Sequence, residues 1–394
     1  MKKRMPDFRT SVTLIWLLCL GILFAVHVVP AARATAGKRF DVFVKALAKT
    51  FPLRTRINNF FVELNGGVAC LFGQHRCNDT YKIKTGHLVR LTPAADTLSH
   101  AKDVAAFAEE LKTRNIKFLF VLNPYRTGAL ASIEAIPGDA SDVNADKFLS
   151  HLDRLGVEYL DLRPEIRKYG ADAGNLYFRT DNHWNFDGVM SVYPILAARF
   201  VTITCGNEAC QSVAGYFSSD SWERVRFPRL FFGAYGRRTG RLFAPSEPFF
   251  YYKPKFNTEM SVVVSDSMKR SNDFLHAIID NSVFQMPDSA FMDDAYNCYV
   301  KFHFARSYFA PIKKRLCIID DSYGRPQAAW LTTLFERVWQ IDLRRDGVDL
   351  FAIIKDAKPD LVAVVYNSSA LSWADDPNGV WPLCRSKIDL KENR

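Results

Sequence analysis

The stretch KRLCIIDDSYGRPQAAWLTTLFERVWQIDLR, residues 314–344, decides the fold. Leu316 to Ile319 form a continuous apolar run, as expected of a strand covered on both faces. The polar turn DDSYG (320–324) follows, and Pro326 sits in the first turn of a helix, where its missing N–H is not needed. A second apolar strand closes the unit. Downstream, GVDLFAIIKDAKPDLVAVVYN (347–367) supplies a helix closed before Pro359 and a last strand. Upstream the same style recurs. Val104, Phe107, Ala108 and Leu111 share one face of a helix, and IKFLFVLNP (116–124) is a buried strand ended by Asn-Pro. Phe148, Leu152 and Leu155 lie on a helix that Gly156 ends, with VEYLDLRPEI (157–166) as the next strand. A further helix covers 187–200, kinked or divided by Pro194. Helices alternating with buried strands predict a three-layer α/β fold with a mostly parallel sheet, which places its chemistry at the carboxyl ends of its strands. Residues 201–310 are irregular, aromatic and basic, and read as an insertion, partly strand, that shapes a substrate cleft.

That rule singles out Ser322, directly after one strand and before a helix, where N–H groups of the turn can stabilise an oxyanion. A cap is the ordinary role of such a serine, so a base has to be found. LYFRTDNHWNFDG (176–188) offers one. Of the eight histidines, His183 alone stands beside an acidic residue at a short, loop-like spacing, Asp181, and it adjoins Trp184, which can exclude water. A carboxylate-oriented imidazole is the usual activator of a serine. The alternative is an ordinary turn in which Thr180 or Asp181 caps the next helix. SVVVSDSMKR (261–270) makes Ser267 a rival nucleophile, ranked lower because no clear helix and second strand follow it.

The two motifs together resemble the SGNH-hydrolase-like domain of the alginate O-acetyltransferase (AlgJ/AlgX-like) family. There an Asp-X-His-Trp motif precedes a Gly-Asp-Ser-Phe-like nucleophile turn, an order permuted relative to ordinary SGNH esterases. The similarity runs from roughly residue 80 to 367 and includes KTGHLV (84–89), NPYRT (123–127), in which Arg126 stands in for the family's lysine, and AKPDLVAVVY (357–366). Asp320 departs from the family's glycine, and the last strand ends in YNSSAL where many relatives have an acidic-basic pair.

The resemblance implies an SGNH-hydrolase-like, flavodoxin-like fold and a catalytic Ser322, His183 and Asp181. It further implies transfer of an acyl group, most simply acetyl, to a hydroxyl of a surface or secreted polysaccharide. A carbohydrate esterase on the same triad, or a non-catalytic polysaccharide-binding or assembly protein, are the alternatives. Trp184, Tyr323, Arg126, Arg325, Arg344 and Asn367 are the candidate substrate contacts, with Asn367 a possible oxyanion donor. No diffusible cofactor is required, and a membrane-bound O-acyltransferase partner is implied as acyl donor. No metal site, P-loop or dinucleotide glycine motif stands out.

At 394 residues, 48% hydrophobic and 24% charged, the chain has the composition of a globular protein rather than a disordered one. Its N-terminus differs. MKKRMPDFR (1–9) precedes VTLIWLLCLGILFAVHVV (12–29), which carries no formal charge. This is read as an uncleaved signal-anchor, a single transmembrane helix in the inner (cytoplasmic) membrane. Basic residues before it place the remainder on the periplasmic or extracytoplasmic side. Residues 1–35 are then tip and anchor, 36–80 a membrane-proximal helical linker, and 81–394 the acyltransferase domain. The net charge of +10 falls by 3 without residues 1–9 (four basic, one acidic), leaving a moderately basic exported part that suits an anionic polymer or lipid headgroup, with a generic basic surface as the alternative, and no nucleic-acid partner is expected outside the cytoplasm. Cys70 with Cys77, and Cys205 with Cys210, are spaced to close small disulfide loops in an oxidising compartment.

Overall fold

A computed structural model describes residues 53–264, 267–279, 302–343 and 349–375, with Leu18, Gly21 and Ile22, which are helical. Most of the expected anchor (12–29) and Arg344 lie outside the described residues. A helix Leu53–Leu71 leads into three short strands, β1 (Arg76–Cys77), β2 (Thr80–Lys82) and β3 (Leu88–Val89), which form a small antiparallel sheet.

The main sheet contains β4 (Lys117–Asn123), β5 (Tyr159–Asp161), β8 (Met260–Val264), β9 (Ser267–Ser271), β10 (Phe304–Ser307), β11 (Ile312–Asp320), β12 (Phe335–Ile341) and β13 (Leu361–Asn367). Between β5 and β8 in the chain lie β6 (Trp222–Phe231) and β7 (Glu247–Pro254), a separate antiparallel pair. The order across the main sheet is β5-β4-β13-β11-β12-β10-β8-β9. The first five are mutually parallel, and β10, β8 and β9 extend that sheet antiparallel. Part of the stretch read as an irregular insertion thus builds one flank of the main sheet.

Strand alternation explains why the middles of β4, β11 and β13 are continuously apolar. Leu119 and Val121, Leu316 and Ile318, and Leu361, Ala363 and Val365 face one core. Phe120 and Leu122, Cys317 and Ile319, and Val362 and Val364 face the other. The first core is covered by the helices Phe186–Cys205 and Arg325–Leu331, the second by Thr97–Thr113, Ser141–Arg154 and Leu350–Ala357. Helices on both faces leave these central positions without access to water, hence the runs without polar alternation.

The helix Phe186–Cys205 continues through Pro194 undivided. Among the described residues it is also the one helix long and apolar enough to cross a membrane, but Val189, Val192, Tyr193, Leu196 and Phe200 are fully buried against the sheet, the mark of a core helix. Gly156 does end its helix, at φ 68°.

Neither expected disulfide is present: Cys70, Cys77, Cys205 and Cys210 are free thiols. Helix geometry turns the pairs apart. Cys70 is exposed on its helix while Cys77 is buried, its Sγ 3.9 Å from the Thr239 carbonyl oxygen. Cys205 ends its helix exposed, whereas the Cys210 Sγ turns to the Ala198 carbonyl at 3.6 Å. A disulfide needs side chains that converge, which short sequence spacing does not supply.

β11 lies between β12 and β13. The helix that follows β11 covers one face of the sheet, and the helix joining β12 to β13 covers the other. Loops leaving the carboxyl edge therefore diverge there, opening the crevice in which doubly wound sheets hold their sites.

Candidate active site

Ser322 is the second residue beyond β11, in that crevice. Its Oγ lies 2.7 Å from His183 Nε2, and His183 Nδ1 lies 2.5 Å from Asp181 Oδ1. Residues 139 positions apart are thus joined in one hydrogen-bonded chain. The Asp181 side chain is 6% exposed and that of His183 13%, and Ser322 is half-buried, so the chain runs from a buried carboxylate to two partly exposed groups.

The loop 180–185 is clamped by elements distant in sequence. Asp181 Oδ1 also accepts the His183 N–H at 3.1 Å, and Oδ2 accepts the Ala234 N–H at 2.7 Å. Gly233 has to be glycine, because a Cβ there would come 2.4 Å from the Asp181 Cβ. Its N–H donates to Thr180 Oγ1, and the Glu247 carboxylate at the start of β7 accepts the N–H groups of Arg179 and Thr180 and the Thr180 hydroxyl. From the other side Leu88 of β3 donates its N–H to the Arg179 carbonyl. Burial alone pushes the Asp181 carboxyl up, but the His183 charge and the N–H bonds it accepts outweigh this and hold it down at about 2. Gly233, Ala234 and Glu247 carried no short-range signal. Their role depends on pairing over more than fifty residues.

The nucleophile turn is built on Asp321, fully buried. One oxygen accepts the N–H groups of Tyr323 (2.8 Å) and Gly324 (3.3 Å), and the other accepts the N–H and side-chain amide of Asn367 (2.9 and 2.6 Å). Asn367 Oδ1 in turn accepts from Ser369. Asn367 is therefore tied at both its amide nitrogen and its amide oxygen to the scaffold of the turn. The same bonds occupy the N–H groups of Tyr323 and Gly324.

Tyr323 links the two motifs. Its ring is buried 5.2 Å from that of His183 and 5.6 Å from that of Trp184, and its hydroxyl donates to the Asn182 carbonyl oxygen between Asp181 and His183. Trp184 and Arg126 are likewise fully buried, and Arg325 is 7% exposed. Arg126 lies over the Tyr235 ring at 5.8 Å, on the helix Ala234–Thr239 whose first N–H holds Asp181. These side chains support the site from behind and do not line its open face, a distinction of burial that residue type cannot reveal. Ser267 sits on the edge strand β9, exposed, its hydroxyl bonded to the Val264 carbonyl. Among the described residues, no cluster of three metal-ligating side chains is present.

Asp320 replaces the expected glycine without blocking the turn, because the needed glycine is at 324. A Cβ on Gly324 would meet the Asp320 Cβ at 2.8 Å and the Val365 carbonyl at 3.1 Å. Asp320 Oδ2 accepts from Gln340 Nε2 at 2.6 Å. Burial, against the Gln340 bond and the Arg325 charge, raises its carboxyl to about 8. A raised carboxyl binds its proton more tightly folded than unfolded, so its contribution is full below about pH 4 and is lost as pH rises through 8. Chemical denaturation from pH 5 to 9 should show declining stability, and Asp320→Asn should flatten that slope.

A mostly parallel three-layer sheet with a serine, histidine and aspartate chained at its carboxyl edge has the build of an SGNH-hydrolase-like protein. Residues 87–211 match the family described as the SGNH hydrolase-like domain of the acetyltransferase AlgX. The matched segment includes Asp181 and His183 and ends before Ser322. Among solved structures, Bacillus cereus PatB1 with a sulfonyl adduct superposes at a TM-score of 0.58 and 19% identity, covering 74% of this chain and 95% of that one. A DHHW family protein from Eubacterium siraeum gives 0.53 and 16%, covering 74% and 91%. At such identities the likeness is one of fold. No curated protein matches the chain in sequence.

Proposed function

We propose that the protein is a membrane-anchored, extracytoplasmic O-acetyltransferase that carries an acetyl group on Ser322 and passes it to a hydroxyl of a surface or secreted polysaccharide. The observation that carries this reading is the chain Asp181–His183–Ser322, with bonds of 2.5 and 2.7 Å. His183 Nε2 takes the proton as Ser322 Oγ attacks the acyl carbonyl, and returns it to the leaving group. The sugar hydroxyl then attacks the acyl-serine, losing its proton to His183, and Ser322 leaves as the hydroxyl. Asp181, ionised at any working pH, holds Nδ1–H and stabilises the imidazolium. Because Asp321 occupies the N–H groups of Tyr323 and Gly324, the Ser322 N–H is the turn's remaining donor to the oxyanion. The donor acetyl group is supplied by a membrane-bound O-acyltransferase, and no diffusible cofactor takes part.

PatB1 carries a sulfonyl adduct, and a reactive sulfonyl fluoride is a matching probe here. Peptide mapping after treatment should find the sulfonyl group on Ser322, with protection by an acetyl ester. Modification confined to other residues would remove the basis of the proposal.

Tyr323→Phe tests the link between the motifs. The change keeps the buried ring and deletes the bond to Asn182, so His183 is held less firmly. The expected loss in kcat is on the order of tenfold, with KM for a small acyl ester unchanged, as for one neutral hydrogen bond of about 0.5–1.5 kcal/mol.

A further inference from the structure

The helix Leu53–Leu71 is packed the wrong way round for a helix in water. Its small residues face the protein. Gly66 and Ala69 are buried against the segment 239–243, and a Cβ on Gly66 would come 1.9 Å from the Thr239 carbonyl oxygen. Its large apolar residues face outward: Phe60 is 56% exposed, Leu64 37%, Val68 43% and Leu71 79%. Their spacing of four, four and three residues puts them on one face. Phe72, just past the helix, and Leu242, whose Cδ1 lies 2.9 Å from the Cβ position at Gly67, continue the exposed surface. Other exposed large apolar residues of the domain are scattered, whereas five fall within 60–72. A contiguous apolar face of this kind marks a surface that something covers.

We infer that this face rests in the surface layer of a lipid bilayer. The inference rests on the anchored reading proposed above. Residues 30–52 separate the apolar run 12–29 from this helix, a link that spans at most about 80 Å even fully extended. Around the apolar face, residues 60–79 and 234–244 carry four arginines, Arg76, Arg237, Arg238 and Arg241, against two acids, Glu63 and Asp79. An apolar face rimmed by cations is the composition of an interface-lying helix on anionic headgroups. The helix is also tied to the site. Glu63 accepts the Arg241 N–H at 2.8 Å, and the helix Ala234–Thr239 beneath it gives its first N–H to Asp181. The helix on the bilayer surface is then separated from Asp181 by the helix Ala234–Thr239 alone, so an acyl group handed over by a membrane-bound partner arrives near the site.

The test uses the full chain in nanodiscs of anionic lipid doped with a lipid bearing a diazirine in its acyl tail, with adducts mapped by mass spectrometry. Adducts in 60–72 and at Leu242, together with the anchor peptide or after its removal, support the inference. Adducts confined to 12–29 overturn it while leaving the anchor intact. Adducts in neither region overturn both readings, and crosslinks joining 60–72 of two chains assign the face to self-association instead. The double variant Leu64→Glu, Val68→Glu should lose the 60–72 adducts and keep wild-type hydrolysis of a soluble acetyl ester. Retention of those adducts in the variant contradicts the assignment.

Discussion

Ser322→Ala is expected to lower acyl transfer by about 10⁴–10⁶-fold, since removal of the nucleophile disables the histidine and aspartate with it. The fold should survive. Ser322 is half-buried and its hydroxyl bonds to His183, so the change costs less than about 1 kcal/mol, as at a site outside the packed core. The control is inside the same chain. Ser267 also follows an aspartate after a β-branched run, yet it lies exposed on β9 with its hydroxyl turned to the Val264 carbonyl. Ser267→Ala should leave the rate within twofold, roughly the scatter of a surface change. Release of a chromogenic phenol from an acetyl ester measures both variants. Equal losses in the two would contradict the assignment of Ser322.

Asp181→Asn is expected to cost about 10³–10⁴-fold in kcat while leaving KM for a small ester near its original value. The geometry gives the reason. Oδ1 accepts from His183 Nδ1 and Oδ2 accepts the Ala234 N–H, so both oxygens act as acceptors. An amide has one acceptor. It must set its NH2 against the Ala234 N–H, or donate to Nδ1 and so force the proton onto Nε2, the atom that has to receive it from Ser322. Because the native carboxyl is held at about 2, no activity inflection near neutral pH belongs to Asp181. Its depressed value contributes stability that is present above about pH 4 and lost as pH falls toward 2, and the asparagine variant should lack that acid-side loss. Stopped-flow rates and acid denaturation check the two halves separately. An unaltered kcat would show that the imidazole does not need its carboxylate.

The parallel sheet was legible because the central residues of β4, β11 and β13 are buried on both faces, so that Leu119–Leu122, Leu316–Ile319 and Leu361–Val365 are continuous apolar runs. The pairing of TDNHW with DDSYG was legible because a serine needs a base, and His183 alone stood beside an aspartate at short, loop-like spacing. What surrounds them was not. The grip of Gly233 and Ala234 on Asp181 came from a stretch whose strands lie at the sheet's flank or in a separate pair, where aromatic and basic residues blur the period of two. Arg126, Trp184, Tyr323 and Arg325 look like ligand contacts by residue type, and their burial depends on packing across the whole sheet. The cysteine spacings allowed loops that helix geometry turns apart.

The most direct test is intact-mass and peptide mapping of the full chain after exposure to an activated acetyl ester, with and without candidate oligosaccharides. The account predicts acetyl on the peptide containing Ser322, lost on adding acceptor as the sugar gains it, and absent in Ser322→Ala. Acetylated sugar formed by Ser322→Ala at the wild-type rate would contradict it.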